Sequence, residues 1–438
     1  MKLPPLVLFA IMAAVLVAIG VFQSVSVALN IVNLCLISAI MALGVNMQWG
    51  YAGLFNVGIM GFAALGGVAA IIISIAPIGE AWEVGAGRMA MAAVMIALTV
   101  AAVIFLRRRL EKGRQRSIAI FAAVVIGYIA ARYFFDPAVD EVEAINPALS
   151  GYFGGLGLPV VLAWFVGGLL AAGAAWLIGK ITLGLRSDYL AIATLGISEI
   201  IIFIAKNEDW LTRGVKNVTG IPRPWLVPYE VDLQESAGFI ARADSIGIGV
   251  IDASTISVKL LYAFWFLLIL AIIMWLSERA LNSPWGRMMR AIRDNEVSAE
   301  AMGKNVTGRH LQIFVLGSAV VGIAGAMLVT LEGQFTPTSY NPLRYTFLIW
   351  VMVIVGGSGN NWGSVFGAFL IWTVWIQAEA LGPWLMGVLT SGLADGNAAR
   401  EHLMEAAPHM RMVLMGAILL AALRFSPRGL IPERTITS

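Results

Sequence analysis

Few residues in this sequence have the type and spacing to do chemistry. Glu199 stands alone in the apolar run 190–205, LAIATLGISEIIIFIA. A carboxylate at the centre of a membrane helix costs roughly 2.5–3.5 kcal/mol on insertion scales, so it is expected to face a bundle interior or a water cavity. There it would serve a translocation pathway or gate, or act as a hydrogen-bonded structural carboxyl; Thr194 and Ser198 lie close to it on the same run. Asn46, Gln48 and Asn56 form a second polar group around the turn 48–56, QWGYAGLFN. They either line a vestibule or cap helix ends. A P-loop needs GxxxxGK[ST] to wrap phosphates; the nearest approach, Gly179-Lys180-Ile181, lacks the hydroxyl residue. Neither GxSxG nor HExxH occurs. His310, His402 and His409 have no ligand spacing, and the single cysteine, Cys35, permits neither an internal disulfide nor a cysteine metal site. No catalytic residue, metal or bound cofactor is expected on this chain.

The densest polar stretch is 278–310, where ten of 33 residues are charged and six of those are Lys or Arg, in a chain that is 13% charged. By the positive-inside rule such a loop between spans is cytoplasmic. It also carries the signals of a folded loop. Ser283 and Pro284 read as a helix start, with a hydroxyl cap followed by proline at the first helical position. Trp285, Met288, Met289 and Ile292 then form one apolar stripe, with Arg287 and Arg290 off it. Asp294 or Asn295 can cap a second short helix holding Val297 and Ala301. Gly303 is a natural stop, able to take positive φ. The apolar faces of these helices either pack on their own spans or dock a cytoplasmic partner; the second is the sharper reading.

These elements sit in a chain of 438 residues that is 59% hydrophobic, with mean hydropathy +0.85. Globular chains are about 45–50% apolar. The fold class is therefore all-α, a polytopic transmembrane helical bundle forming a single domain over 1–438. The net charge of +3 does not indicate nucleic acid, because the basic residues cluster beside spans, where orientation and lipid headgroups explain them. Apolar runs fall at 6–22 (read as an uncleaved first span), 29–47, 58–75, 89–106, 118–133, 160–178, 189–205, 258–277, 311–331, 345–355, 365–380 and 410–423. With the N-terminus inside, the clusters at Arg107–Arg109 with Lys112, Arg114 and Arg116, at Lys180 and Arg186, at 278–310, and at Arg424, Arg428 and Arg434 all fall inside. The acidic loops at Glu80 and at Asp136, Asp140, Glu141 and Glu143 fall outside. One assignment thus gives about twelve crossings, or ten if two short Gly-rich runs are re-entrant. It places both termini in the cytoplasm and a large loop, 206–257, in the periplasm. Gly322 with Gly325, and Gly363 with Gly367, read as close-packing sites.

Five stretches carry a family likeness: GYAGLFNVGIMGFAALGG at 50–67, SDYLAIATLGISEI at 187–200, RAIRDNEVSAEAMGKN at 290–305, GGSGNNWGSVFGA at 356–368 and RFSPRGLIP at 424–432. In this order they resemble the LivM-type permeases of branched-chain amino acid ABC importers, whose relatives handle urea and short amides. The third stretch is the most specific. The resemblance implies that Arg290, Ala291, Asp294, Glu296, Ala299 and Gly303 belong to a loop gripped by an ATPase subunit. It further implies a LivH-type permease partner, two ATP-binding subunits that use ATP and Mg, a periplasmic substrate-binding protein, and a bacterial inner membrane. The chain departs from the pattern in its basic insert at 107–116 and in the loop 381–409. Two rival classes are an ion-gradient-driven secondary transporter without an ATPase, and a membrane-embedded enzyme using carboxylates of the external loops.

Overall fold

A computed structural model describes residues 4–146, 150–185, 187–392 and 397–433. Arg186 and Arg434, counted above as basic markers, lie outside the described residues. The first seven helices are α1 (Pro5–Phe22), α2 (Val25–Ala52), α3 (Ile59–Ser74), α4 (Gly79–Arg109), α5 (Arg114–Ile145), α6 (Val160–Thr182) and α7 (Ser187–Asn207). Three short helices follow, α8 (Asp209–Thr212), α9 (Glu230–Glu235) and α10 (Ala237–Ile246), before the long α11 (Val250–Leu281). The polar stretch supplies α12 (Pro284–Asp294) and α13 (Glu296–Ala301). The rest is α14 (Val306–Glu332), α15 (Pro342–Gly356), α16 (Asn361–Leu389), α17 (Ala398–Ala406) and α18 (Met410–Phe425). Two-residue strands β1 (Val218–Thr219) and β2 (Gln334–Phe335) pair antiparallel, with Val218 opposite Phe335.

Among the described residues nine helices are long and apolar enough to cross a membrane, with 398–425 taken as one, and the bent α16 makes a tenth. The 51° bend in α16 lies just ahead of Pro383, whose ring crowds the carbonyl four residues back. α3 and α15, with 16 and 15 residues, are about 24 Å long at ~1.5 Å per residue, short of a ~30 Å hydrocarbon core. Each runs from one end of the bundle to the other. α3 starts beside Asn56 and Thr194 and ends where Ile72 and Ile75 accept hydrogen bonds from Leu156 and Gly157. α15 starts at the Asn341 cap and ends where Ile431 N–H donates to Gly356 O at 2.8 Å. The chain is a multi-pass all-α membrane protein. Several helices outrun their apolar runs: α11 begins at Val250 rather than 258, and α5 continues through Asp136 and Pro137.

Local chemistry sets the helix starts. Asn305, Asn341 and Asn360 each accept a backbone N–H of the following turn through the side-chain oxygen, at 2.9–3.1 Å for the first contact. Packing then rests on small residues, as expected where lipid removes most of the hydrophobic drive between helices. At the deeply buried α14, a Cβ added to Gly322 would stand 2.5 Å from the Gly167 carbonyl oxygen and from Ala171 Cβ on α6. α2, α3, α6 and α14 form the core, and the buried Trp164 indole N–H donates to Thr330 Oγ1 at 2.9 Å. α4 and α5 instead form a hairpin packed mainly on itself, joined to the remainder through Ala81, Val142 and Phe153.

Two ends result. One gathers the 48–58 turn, α12, α13, the α15–α16 turn and residues 426–433. The other gathers 75–79, 150–159, 207–249 and 333–341, tied by Phe153 N–H to Trp210 O at 3.0 Å and Gly220 N–H to Gly333 O at 3.1 Å.

Candidate coupling site

The chain leaves α11 at Leu281 and turns at once into α12. Ser283 holds the N-cap position in extended conformation, and Pro284 follows. The expected hydroxyl cap is not made: Ser283 Oγ donates to the Ala280 carbonyl at 2.6 Å, back toward α11. The turn is tight enough that a Cβ on Gly286 would lie 2.5 Å from the Leu281 carbonyl carbon. The second helix is capped by Asn295, whose Oδ1 accepts Ser298 N–H at 2.9 Å. It ends as anticipated at Gly303, with φ +77°. Gly303 N–H bonds Glu300 O at 2.8 Å and Lys304 N–H bonds Ala299 O at 3.1 Å, the paired bonds of a Schellman stop.

The apolar stripe divides its work. Met289 is buried in the main core, and Ile292 is buried at the wall of the groove. Trp285 and Met288 instead join Ala291, Ala299 and Met302 around an open groove of about 660 Å³, with Lys304 and Arg309 at its rim. Val297 and Met302 project 77% and 79% exposed. Asp294 and Glu296 are exposed beside them, and Arg290 is half-buried, donating to Leu281 O at 3.2 Å. The six coupling residues taken from the resemblance therefore lie together on this two-helix knob.

Arg293, which sequence reasoning passed over, fixes the knob to the bundle. Its Nη1 donates to Gly50 O at the end of α2 and to Glu433 Oε2 at 3.0 Å, while its Nε meets Asp294 Oδ1 at 3.0 Å. Burial alone would lower the Arg293 pKa; the carboxylates of Glu433 and Asp294 outweigh it and raise it, so the cation is permanent. A second chain of bonds runs alongside. Glu278 Oε1 accepts from Asn361 Nδ2 at 2.9 Å, Asn361 Oδ1 accepts from Asn46 Nδ2 at 3.0 Å, and Asn46 Oδ1 accepts Gly359 N–H at 2.8 Å. Gln48 Nε2 reaches Phe314 O at 2.8 Å on α14, and Gln48 Oε1 accepts from Asn56 Nδ2 at 2.8 Å. Bonds thus run from α12 to the last turn of α2, and from Gln48 of α2 to Asn56 in the 53–58 turn.

The remaining sequence candidates separate. Asn46, Asn56, Thr194 and Ser198 are all buried with their bonds made internally: Thr194 Oγ1 accepts Val57 N–H at 3.1 Å and Ser198 Oγ accepts Gly61 N–H at 2.8 Å. Asn56 and Thr194 brace the 53–58 turn, Ser198 ties the start of α3, and Asn46 ties the α15–α16 turn. Glu199 is the correction. It was expected in the bundle interior or a water cavity; it is not in the interior but lies exposed on the outer face of α7, between exposed Gly196 and Phe203. Thr194 and Ser198 occupy the opposite, inward face, because a 3.6-residue period puts neighbours 198 and 199 on diverging directions. Among the described residues no three of His, Cys, Asp and Glu gather as a metal site.

Residues 117–423 match the family described as branched-chain amino acid transport system / permease component. The chain belongs to that family. It is 25% identical over 292 residues to the high-affinity branched-chain amino acid transport system permease protein LivM of Escherichia coli K12, covering 66% of this chain and 61% of that protein. It is 24% identical over 402 residues to the probable branched-chain amino acid transport permease protein LivM of Methanocaldococcus jannaschii, covering 91% of each. A shorter match, 28% over 94 residues, is to the fructose import permease protein FrcC of Rhizobium meliloti. The alignment with the E. coli relative thus spans just over three-fifths of its length. No solved structure matches. The family's description is that of a permease component of a transport system.

Proposed function

We propose that this chain is the membrane permease of an ATP-binding-cassette importer for branched-chain or related amino acids, set in a bacterial inner membrane. The observation that carries this is the knob of α12 and α13: an exposed apolar groove with a basic rim, on helices fastened to α2 by Arg293. The chain supplies no phosphate-binding loop, so ATP and Mg are used by partner subunits, two ATPases beneath the knob. A periplasmic substrate-binding protein docks at the opposite end, over residues 207–249. The knob side, where the described residues begin at Pro4 and end at Glu433, is the cytoplasmic side. The exposed face of α7 receives a LivH-type permease, because Glu199 facing lipid would be costly, whereas a polar partner helix relieves that cost.

Co-purification of the four-component assembly, followed by ATP-driven leucine uptake in proteoliposomes, tests this reading. Gly303→Pro, which cannot keep φ near +77°, and Glu296→Arg are expected to lower ATPase retention and uptake at least about 10-fold. Glu199→Leu is expected to release the second permease and leave this chain folded. Unchanged assembly and uptake in all three would refute the reading, as would uptake by the chain alone on an ion gradient.

A further inference from the structure

A cavity of about 200 Å³ lies inside the bundle between α2, α3, α14, α15 and α16, distinct from the knob. Its mouth is at the loop end, beside Glu332 and Tyr340, and it reaches down to Met60 and Met352. The belly is aliphatic, with Met41 and Ile349 on facing helices. Six of its fourteen lining residues carry a polar side-chain atom, and among the described residues the Trp372 indole N–H is buried there without a hydrogen-bond partner. Tyr340 and Ser38 are 5% and 7% exposed, yet among the described residues neither hydroxyl makes a hydrogen bond. Glu332, exposed at the end of α14, has no ion pair or hydrogen bond among the described residues. Buried polar groups are nearly always bonded, so each exception requires a reason. The contrast with Ser277 is informative: its hydroxyl bonds the carbonyl four residues back at 2.7 Å, the usual refuge of a helical serine. Ser38 does not take it and stays open to the cavity.

We infer that this cavity is a binding site for one aliphatic amino acid inside the permease itself. The Glu332 carboxylate at the mouth receives the ammonium, the free Tyr340 and Ser38 hydroxyls serve the polar head, and the branched side chain fills the space among Met41, Ile349 and Met352. The volume suits a single small solute and the lining suits a hydrocarbon chain. At its lower end the lining residue Met60 lies shortly after the 53–58 turn, whose Asn56 carbonyl accepts Trp350 Nε1 at 3.1 Å. The choice of an amino acid rests on the permease reading above.

The test is equilibrium binding of radiolabelled L-leucine to the purified full chain in nanodiscs, without the binding protein. Saturable binding is expected. 4-Methylpentanoate, which lacks the ammonium, is expected to compete at least about 10-fold more weakly than leucine. Glu332→Gln, at an exposed helix end where folding is not at risk, is expected to weaken leucine by about 10- to 100-fold. Ile349→Trp, which fills the belly, is expected to abolish binding. No saturable binding to the wild-type chain, or equal affinity in both variants, overturns the site and marks the cavity as a packing gap. ATP-driven uptake by the full assembly without such binding overturns the site alone; binding without uptake supports the site and counts against the importer.

Discussion

Replacing Arg293 with methionine is expected to cut ATP-driven uptake about 100-fold, equivalent to ~2.7 kcal/mol, while the chain remains folded. The reasoning is geometric. One guanidinium joins α12, the last turn of α2 through Gly50 O, and the tail through Glu433. Removing it leaves the knob able to bind an ATPase but poorly able to move the bundle. Lysine should not rescue, because a single ammonium cannot reproduce the planar fork that serves Gly50, Glu433 and Asp294 together. Breaking only one side leaves Glu433 without its partner, a cost separate from coupling. The double variant Arg293→Met with Glu433→Met removes that cost and should stay equally defective in uptake. Uptake in proteoliposomes, read beside thermal unfolding and ATPase retention, decides. Restored uptake in the double variant would show that the ion pair matters for stability alone.

The largest effect on stability is expected from Gly322→Leu. Its backbone lies against α6 so closely that even a methyl group would sit 2.5 Å from Gly167 O. α14 and α6 would have to separate, and α14 is also the helix that carries Gln48's partners Phe314 and Ser318. The cost is expected at or above the top of the about 1–3 kcal/mol range for overpacking. Gly196→Leu is the matched control. It lies on the exposed face of α7 with nothing within 4 Å of an added Cβ, and should change the stability of the isolated chain by less than about 0.5 kcal/mol. Denaturant unfolding of the purified chain in detergent separates them; similar midpoints would mean that the α6–α14 contact can relax.

The parts of this molecule that could be read in advance are those governed by neighbours in sequence. Pro284, Asn295 and Gly303 bound the two knob helices because proline's fixed φ, capping and positive φ are local properties, although the Ser283 hydroxyl turns back to Ala280 instead of capping. The apolar runs marked the crossings because bilayer thickness acts on contiguous residues. Charge parity placed loops at opposite ends for the same reason. Long-range pairings were not legible. Arg293 and Glu433 are 140 positions apart, and nothing in either segment names the other. Glu199 was misplaced because hydropathy reports depth along a helix and not direction around it. The cavity at Glu332 was invisible too, since its walls come from five helices that only the tertiary packing brings together.

The central claim is that the knob faces the cytoplasm and is the surface on which an ATPase acts. Cys35 is fully buried, at 0% exposure, and Met302 projects at 79%, so Met302→Cys offers one accessible thiol on an otherwise silent chain. A membrane-impermeant maleimide is predicted to label it in inside-out vesicles, to leave it untouched in intact cells, and to be blocked when the ATPase subunits are assembled. Labelling in intact cells would contradict the account.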